Sequence, residues 1–503
     1  MRRWLQGLGL LASLAQFLAM LVYSVNRFRH YDLGIDFGII NQATKLIASG
    51  HANPYNTLYP HFYLHDQFNL MTWPLALVRV VFPSALSLLV VQALAIAITT
   101  FLVINFAITE TERKMQGTAP RLLIVGSVML LVMANPLAWE ADSFDFHMQP
   151  IATIGLVLGL VGFWERRKLL PWVGLAIALL SGSESALLVI GLGLGMLAMK
   201  SLRRAGAGVT ILGAAWLVLI MALNLHQGTP LGPSYGYLAR SANPSFFTIL
   251  VGIVTHPVTP LKTLAGRAGY LGTILASSGI IGLLFPPALG AAVVALAANG
   301  LQLTTSFITL QSGFQNYPES MLLLAAFPIV AAWIAGAVRG RNPRLSVAAA
   351  PVLTLMSIAI GVAGLAYDVG IPANWLVIPP DAAAVLSRVS PPPSTEVVAT
   401  ATVIGRFAGR ANVFPWIATG ENIPVCSADM EIILAAKYGI TLLPRGTIAP
   451  YAARIARLPQ AHLVARGSNI YVYRLTGLKP GELLQEPTGT LVDHGSPASR
   501  CQP

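Results

Sequence analysis

The stretch Ala85–Ala107, ALSLLVVQALAIAITTFLVINFA, decides the class of this fold because it contains no charged side chain. A helix of about 20 such residues spans the hydrocarbon core of a bilayer. Over all 503 residues, Asp, Glu, Lys and Arg make up 10%, against roughly 25% in a soluble domain. Hydrophobic residues make up 55%, which is more than one or two protein cores can bury. The sequence therefore predicts a polytopic membrane protein and excludes an ordinary soluble enzyme.

Further apolar stretches lie on both sides of this one. The uninterrupted ones are Trp4–Tyr23, Leu122–Leu137, Met148–Trp164, Val209–Leu225, Ser320–Val338 and Leu345–Ala366. Two longer ones are interrupted, Leu169–Met199 by a Ser-Gly-Ser-Glu-Ser run and Leu271–Leu303 by Phe-Pro-Pro. We expect each to be a hairpin of two shorter helices, because Gly, Ser and Pro free backbone groups that lipid cannot satisfy. This reading predicts about eleven spans, the first a retained anchor and not a cleaved signal peptide.

The basic residues of the short loops predict the orientation. The formal net charge is +12, which in a soluble chain would suggest a nucleic-acid partner. With a cytoplasmic N-terminus, 14 basic and three acidic residues fall on the cytoplasmic side, as the positive-inside rule requires. Topology thus explains the charge, and no nucleic-acid partner is predicted. An odd number of spans in the plasma membrane places the C-terminal segment outside the cytoplasm.

The chain divides by composition into three parts. Residues 1–366 form a transmembrane domain with large outer loops at 24–84 and 226–270. Residues 367–395 are a Pro-rich linker, and residues 396–503 carry more charge than the membrane part. The last part is long enough for a small extracytoplasmic domain.

Local patterns predict the elements of the outer parts. Phe37–Ala48 has the spacing of an amphipathic helix, which we expect to lie on the membrane surface. In the tail, Glu396–Val403 is strand-like, Tyr451–Leu458 is helix-like, and His462–Arg474 has the pattern of a hairpin. The tail is therefore expected to be an α/β domain. The two cysteines in the sequence, both in this tail, could pair in an oxidising compartment or remain free.

Two carboxylates directly after the first span, Asp32 and Asp36, are the candidates for a catalytic base. Four residues apart, they share one face if the segment is helical. Desolvation near an apolar boundary raises the pKa of a carboxyl toward the range that a general base needs. The alternative is that both are solvated loop acids or helix caps.

A second acidic group lies between the third and fourth spans, where Asp142, Asp145 and His147 follow Glu140. The hard oxygens of this loop could bind a divalent cation or an incoming basic or hydroxylated group. The alternative is an acidic outer loop that merely complements the positive inner side. The His and Cys spacing indicates no zinc site.

Other candidates are isolated polar residues in outer or interrupted segments. Glu184 lies at the break of a short hairpin, where an acid is either functional within the membrane boundary or in contact with outer water. His65 could pair with Asp66, although adjacent side chains usually point apart. Tyr235, Tyr237, Gln311 and Tyr317 could stack on and hydrogen-bond a sugar, or could belong to the aromatic belt of the membrane interface.

Several short motifs resemble a family of predicted bacterial and archaeal membrane proteins grouped with the GT-C glycosyltransferases. They are Tyr31-Asp32-Leu33-Gly34-Ile35, Phe146-His147, Glu184-Ser185-Ala186-Leu187-Leu188-Val189 and Tyr235-Gly236. In the family pattern the second acid comes five residues after the position of Asp32, whereas Asp36 comes four after it. The resemblance covers most of the chain and implies a GT-C-like helical membrane fold with a C-terminal extracytoplasmic domain.

The resemblance implies a transferase that takes a sugar from a polyprenyl-phosphate carrier and passes it to an extracytoplasmic hydroxyl, with membrane lipids as partners. In that scheme Asp32 is the general base, and Arg240 or Arg267 neutralises the lipid phosphate. The sugar and the acceptor do not follow from these residues. The alternatives are a lipid or solute transporter that uses Glu184 and Asp32 as coupling groups, and a non-catalytic envelope scaffold.

Overall fold

A computed structural model describes residues 1–66, 68–223, 231–303, 315–341, 351–364, 366, 380–416, 422–436, 448–485, 490–493 and 501. The described chain is mostly helical and ends in a β-sheet domain. Predictions for Gln311, for the start of the span Leu345–Ala366 and for residues 367–379 of the linker lie outside the described residues.

The helices follow the apolar stretches of the sequence. The first eleven are α1 Arg2–Arg29, α2 Ile35–Ala48, α3 Tyr63–Asp66, α4 Thr72–Val81, α5 Leu86–Lys114, α6 Thr118–Met133, α7 Pro136–Ser143, α8 Gln149–Trp164, α9 Leu170–Leu180, α10 Glu184–Leu197 and α11 Arg203–Ala222. The next seven are α12 Leu231–Ala239, α13 Phe246–Thr255, α14 Val258–Ala265, α15 Ala268–Ser277, α16 Pro286–Gly300, α17 Tyr317–Arg341 and α18 Pro351–Gly364. Both interrupted regions are broken where the sequence predicted, between α9 and α10 and between α15 and α16.

The predicted count of about eleven spans is not confirmed. Among the described residues, five helices are long and apolar enough to cross a membrane, or six if the bent pair α13 and α14 is one span. The two arms of the first hairpin, α9 and α10, have 11 and 14 residues. At about 1.5 Å per residue they are shorter than a hydrocarbon core of about 30 Å. Helices α9 and α10 are therefore too short for each to cross the membrane alone.

The apolar helices pack into one bundle. Helix α10 lies against α11 and α16, α8 against α9, and α1 against α5, while α17 contacts α5, α6, α8 and α16. The shared core includes Ile96, Leu156, Leu192 and Phe327, all of them buried. Helices α1 and α11 each have an exposed face of apolar side chains, as expected of helices that border lipid.

The described residues of the C-terminal part, from 380 onward, form two sheets and two α-helices. The larger sheet has the order β4-β3-β6-β8-β7, formed by β3 Glu396–Thr400, β4 Val413–Trp416, β6 Asp429–Ala435, β7 Ala461–Gly467 and β8 Ile470–Thr476. Strand β3 is parallel to β4 and β6, whereas β8 is antiparallel to β6 and β7. The remaining elements are β5 Asn422–Pro424, β9 Glu482–Gln485, β10 Thr490–Asp493, α19 Pro380–Leu386 and α20 Ile448–Ile455. A disulfide joins Cys426 to Cys501, so of the two alternatives left by the sequence, pairing is the one observed.

Helix α2 is a helix as predicted, but it does not lie on the membrane surface. Its residues Phe37–Thr44 are all buried, because α4 covers one side of it and the C-terminal domain covers another. The outer loop that contains α2 also has a small hairpin, β1 Tyr55–Asn56 and β2 His61–Phe62. An amphipathic helix can bury its apolar face against either lipid or protein. In this structure the apolar face of α2 packs against protein.

The C-terminal domain is joined to α2 and to the turn before it by hydrogen bonds, two of them donated by side-chain amides of α2. The amide of Asn41 donates to the carbonyl of Gly405 at 3.1 Å, and the amide of Gln42 donates to that of Ala411 at 2.8 Å. In return, the N–H of Gly405 donates to the carbonyl of Leu33 at 3.0 Å. The outer loop and the C-terminal sheet therefore share one apolar core, which includes Phe37 and Val397.

We expect Gly405→Ala to loosen this junction. A Cβ at position 405 would lie 2.6 Å from the carbonyl oxygen of Gly34 and 2.8 Å from that of Leu33. Both neighbours are backbone, so the overpacking should lower the free energy of unfolding by about 1–3 kcal/mol. Thermal unfolding of the purified protein and protease sensitivity of the C-terminal domain measure this. The matched control is Gly409→Ala in the same segment, where the nearest atoms are 3.8 Å away. Equal stability of the two variants would contradict the prediction.

Candidate active site

The turn after α1 directs Asp32 back toward the helix it follows. Tyr31 has a φ of 61°, in the left-handed region that residues other than glycine seldom adopt. The N–H of Asp32 then donates to the carbonyl of Arg27 at 3.0 Å, which is the six-to-one bond of a Schellman motif. The ring of Tyr31 stacks on Phe407 of the C-terminal domain, with ring centroids 5.8 Å apart. The second domain thus helps to hold a strained turn in place.

Arg27 is the centre of a buried group of charges. Its Nε lies 3.6 Å from Oδ2 of Asp32, and its Nη2 lies 3.3 Å from Oδ1 of Asp145. The same Nη2 donates to the carbonyl of Phe144 at 3.0 Å. All three charged side chains are nearly excluded from solvent, at 4% exposure for Arg27 and 3% and 6% for the two carboxylates. Burial of one cation between two carboxylates satisfies charges that would be costly if left alone.

The side-chain amide of Gln92, in the second turn of α5, bonds to the acidic loop at three points. Gln92 donates to the backbone carbonyls of Asp142 at 3.3 Å and Asp145 at 3.0 Å, and its own carbonyl accepts from the N–H of His147 at 2.8 Å. Ser24 of α1 donates to Oδ2 of Asp142 at 3.2 Å. The loop is therefore packed inside the protein and is not an acidic surface loop.

A cavity of about 300 Å³ lies beside this network. Its walls come from the first turn of α2, the start of α8, the break between α9 and α10, and parts of α12, α16 and the start of α17. Its titratable lining side chains are Asp36, His147, Glu184 and Tyr235. Of the two candidate bases, Asp36 is among the described lining residues and Asp32 is not.

The environment tunes the two titratable groups nearest to the acidic loop. Burial, and next the negative charge of Asp145, raise the pKa of Asp36 to about 7. Burial, and next the positive charge of Arg27, lower the pKa of His147 to about 3. Near neutral pH, Asp36 can therefore both lose and accept a proton, whereas His147 is a neutral imidazole.

The rest of the lining suits a polyhydroxylated ligand. Side-chain amides line the cavity at Asn69, Gln149, Asn299, Gln302 and Gln315, and aromatic rings line it at Phe68, Phe146 and Tyr235. Glu184, at the first turn of α10, accepts a hydrogen bond from Gln149 at 3.0 Å and is itself exposed. No Lys or Arg occurs among the described residues of this lining. Convergent amides and acids with a few aromatic faces are typical of a binding site for a small polar ligand.

The sequence candidates separate into those at the cavity and those beneath it. Asp36, His147, Glu184 and Tyr235 line the cavity. Asp32, Asp142 and Asp145 are buried beside it, at 2%, 0% and 4% exposure. The spacing of these acids did not distinguish the two groups, because burial depends on which helices cover the loop.

The remaining candidates lie elsewhere. The hydroxyl of Tyr237 donates to the carbonyl of Leu301 at 2.9 Å, Tyr317 is fully buried, and His65 lies near the ring of Phe62. The predicted partner of His65, the side chain of Asp66, lies outside the described residues. Two basic candidates remain. Arg240 is exposed at the end of α12, whereas Arg267 donates to the carbonyl of Gly300 at 2.6 Å, next to the lining residue Asn299.

The described residues contain no group of three or more His, Cys, Asp or Glu side chains that could hold a metal ion. In the loop where a divalent cation was considered, Asp142 is bound by Ser24 and Asp145 by Arg27. A hydroxyl and a guanidinium group thus each bind one carboxylate oxygen of this loop.

Sequence reasoning missed the residues that hold the site together. These are Arg27, Gln92 and Ser24, and the first two carry a signal in the sequence. Gln92 is an amide within an apolar span, and Arg27 is a cation in the last turn of the first helix. A polar group at membrane depth needs a partner, so both could have been flagged, although not the identity of their partners.

Comparisons with known proteins found two kinds of similarity, to solved structures and to a protein family. The similar solved structures include ArnT from Cupriavidus metallidurans bound to undecaprenyl phosphate, at 13% identity and a TM-score of 0.44, and ArnT from the same organism in the apo state, at 12% and 0.44. The alignments cover 92% and 91% of this chain and 97% of each ArnT chain. Among curated proteins, no sequence matches this chain. The family of predicted membrane proteins DUF2079 matches residues 29–372, more than half of the chain, as the sequence motifs led us to expect. The chain therefore belongs to the DUF2079 family of predicted membrane proteins.

Proposed function

We propose that this protein is a membrane glycosyltransferase that moves a sugar from a polyprenyl-phosphate donor to a hydroxyl acceptor outside the cytoplasm. The observation that carries the proposal is the position of Asp36 on the wall of a cavity lined by amides, acids and aromatic rings. With its pKa raised to about 7 by burial and by Asp145, this carboxyl has the basicity that a hydroxyl nucleophile requires.

The proposed reaction assigns one role to each part of the cavity. Asp36 takes the proton of the acceptor hydroxyl, whose oxygen bonds to the anomeric carbon as the bond from that carbon to the phosphate oxygen breaks. Glu184 and the lining amides hold the sugar hydroxyls. Asp32, Arg27 and Asp145 remain beneath the cavity and keep the loop in place. The polyprenyl phosphate leaves with the bonding electrons.

The leaving phosphate needs a positive group, and we assign Arg267. Its guanidinium donates to the carbonyl of Gly300, one residue from the lining residue Asn299, whereas Arg240 is exposed at the end of α12. The lipid that leaves in the proposed reaction is a polyprenyl phosphate, the chemical class of the undecaprenyl phosphate bound to ArnT in its solved structure. In the proposed orientation the N-terminus is cytoplasmic, and the cavity and the C-terminal domain face outward, as the basic inner loops predict.

The direct test is cleavage of a donor. The purified protein is placed in proteoliposomes and given polyprenyl-phosphate sugars that carry a radiolabelled sugar, with an envelope extract as the source of acceptors. It should release polyprenyl phosphate, which mass spectrometry detects. The label should move to an acceptor or to water. Transport of a labelled lipid or solute across the proteoliposome membrane, without cleavage of any donor, would instead establish the transporter alternative. If neither donor cleavage nor transport is detected, the result would support the third alternative, a non-catalytic envelope scaffold.

A further inference from the structure

The helix that carries Asp36 begins without a capping side chain of its own. The residue at its N-cap position is Gly34, which has no side chain to accept a hydrogen bond from the first turn. The first N–H groups of any helix lack partners within the helix and need an acceptor from elsewhere. In α2 this need arises directly beside the candidate base.

The carboxylate of Asp145 supplies the acceptors from a distant part of the chain. The N–H of Gly34 donates to Oδ1 at 3.1 Å, and the N–H of Phe37 donates to Oδ2 at 3.4 Å. These two donors flank Asp36 in sequence, on either side of the first turn. A carboxylate at this end also interacts favourably with the positive end of the helix dipole.

Glycine at position 34 is what permits this approach. A Cβ built on Gly34 would lie 2.6 Å from Oδ2 of Asp145, closer than atoms of this kind come to each other. Arg27 binds the same carboxylate, with its Nη2 3.3 Å from Oδ1. The position of the Asp145 carboxylate at the start of α2 therefore depends on both Arg27 and Gly34.

We propose that Asp145 is a positioning residue, which caps α2 from outside the helix and holds Asp36 in place at the cavity. This inference rests on the proposed function only for the catalytic use of Asp36. Asp145 itself is buried, and it acts on the proposed reaction through the helix rather than by contact with substrate.

The charges around Asp36 make the effect measurable as a titration. Arg27 lies 3.3 Å from Asp145 and 3.6 Å from Asp32, and His147 and Glu184 line the same cavity as Asp36. Arg79 of α4 and Arg406 of the C-terminal domain belong to segments that contact α2. After burial, the charge of Asp145 is the contribution that raises the pKa of Asp36. Loss of this negative charge should therefore lower that pKa.

The experiment follows Asp36 itself and does not require a known substrate. Infrared spectra are recorded across a pH series, and the spectrum of Asp36→Asn is subtracted from that of the wild type. The difference isolates the band of the protonated Asp36 carboxyl, and the pH at which this band is half-lost is the midpoint. In Asp145→Asn the midpoint should move to lower pH by about 0.5 unit or more. Asp142→Asn is the matched control, because Asp142 is equally buried in the same loop but bonds to Ser24 and not to α2. Its Asp36 midpoint should stay within about 0.2 unit of wild type.

A second variant keeps the test decisive if Asp145→Asn does not fold. Gly34→Ala retains the charge but forces the carboxylate away from the first turn, so it too should shift the Asp36 midpoint downward. If donor cleavage is found, the acid side of its pH profile should shift with the infrared midpoint. If both variants fold and the titration midpoint of Asp36 stays at its wild-type value in each, the inference is overturned. If Asp145→Asn does not fold, an unchanged midpoint in Gly34→Ala alone overturns it. Absence of any transferase activity would overturn the proposed function and leave this result intact.

Discussion

Replacement of Asp36 by Asn is expected to abolish cleavage of a polyprenyl-phosphate sugar, with a loss of about 100-fold to 10,000-fold in rate. The amide keeps the size of the side chain at the cavity wall but cannot accept the proton of a hydroxyl acceptor. Donor binding should be retained, because the amides and Glu184 that line the same cavity are unchanged. Release of polyprenyl phosphate and equilibrium binding of the donor, measured on the same preparation, separate the two effects.

The pH dependence of the wild type follows from the same group. Burial and the charge of Asp145 raise the pKa of Asp36 to about 7. The ionised form is the active base, so the rate should be close to its maximum above this pH and should fall as the pH is lowered through about 7. A pH profile that stays flat down to pH 5 would remove Asp36 from this role.

Asp32→Asn is the matched control, because Asp32 is the acid that the sequence resemblance favoured. Its carboxylate pairs with Arg27 and is 2% exposed, so the amide should lower thermal stability more than it lowers the rate of the chemical step. Turnover that persists in Asp36→Asn and disappears in a folded Asp32→Asn would assign the base to Asp32 instead.

Arg27→Gln is expected to have the largest effect on stability, a loss of about 3–5 kcal/mol in the free energy of unfolding. The substitution leaves the carboxylates of Asp32 and Asp145 buried without their cation. Removal of one partner of a buried ion pair costs more than the pair itself contributes, because the remaining charge is not solvated. The temperature of half-inactivation in detergent, and the half-life at a fixed temperature, measure the loss.

An exposed ion pair of the same chemistry provides the comparison. Arg167 pairs with Glu165 at 3.1 Å, with its side chain 64% exposed. Arg167→Gln should change stability by less than about 1 kcal/mol, because water solvates both groups when the pair is broken. A loss of the same size in Arg27→Gln and Arg167→Gln would mean that the buried network does not stabilise the fold.

The sequence by itself determined the class of the protein and many of its elements. Runs without charge, such as Ala85–Ala107, have no stable alternative to a buried or lipid-facing helix, since every backbone group must be bonded within the segment. The breaks before Glu184 and at Pro286 follow from the local chemistry of Gly, Ser and Pro. The tail strand at Glu396 and the hairpin turning at Ser468 were predicted for the same local reasons.

Only the tertiary structure decided which acid meets the cavity. Asp32 and Asp36 are four residues apart and have similar chemistry, but Arg27 and the returning turn at Tyr31 bury the first, while α2 brings the second to the cavity. The bond from Asp145 to α2 joins residues 111 positions apart. Periodicity and spacing describe neighbours along the chain, whereas burial, ion pairing and pKa depend on which distant segments cover a residue. That dependence is the physical reason why the sequence offered Asp32 and Asp36 as equal candidates and only the fold separated them.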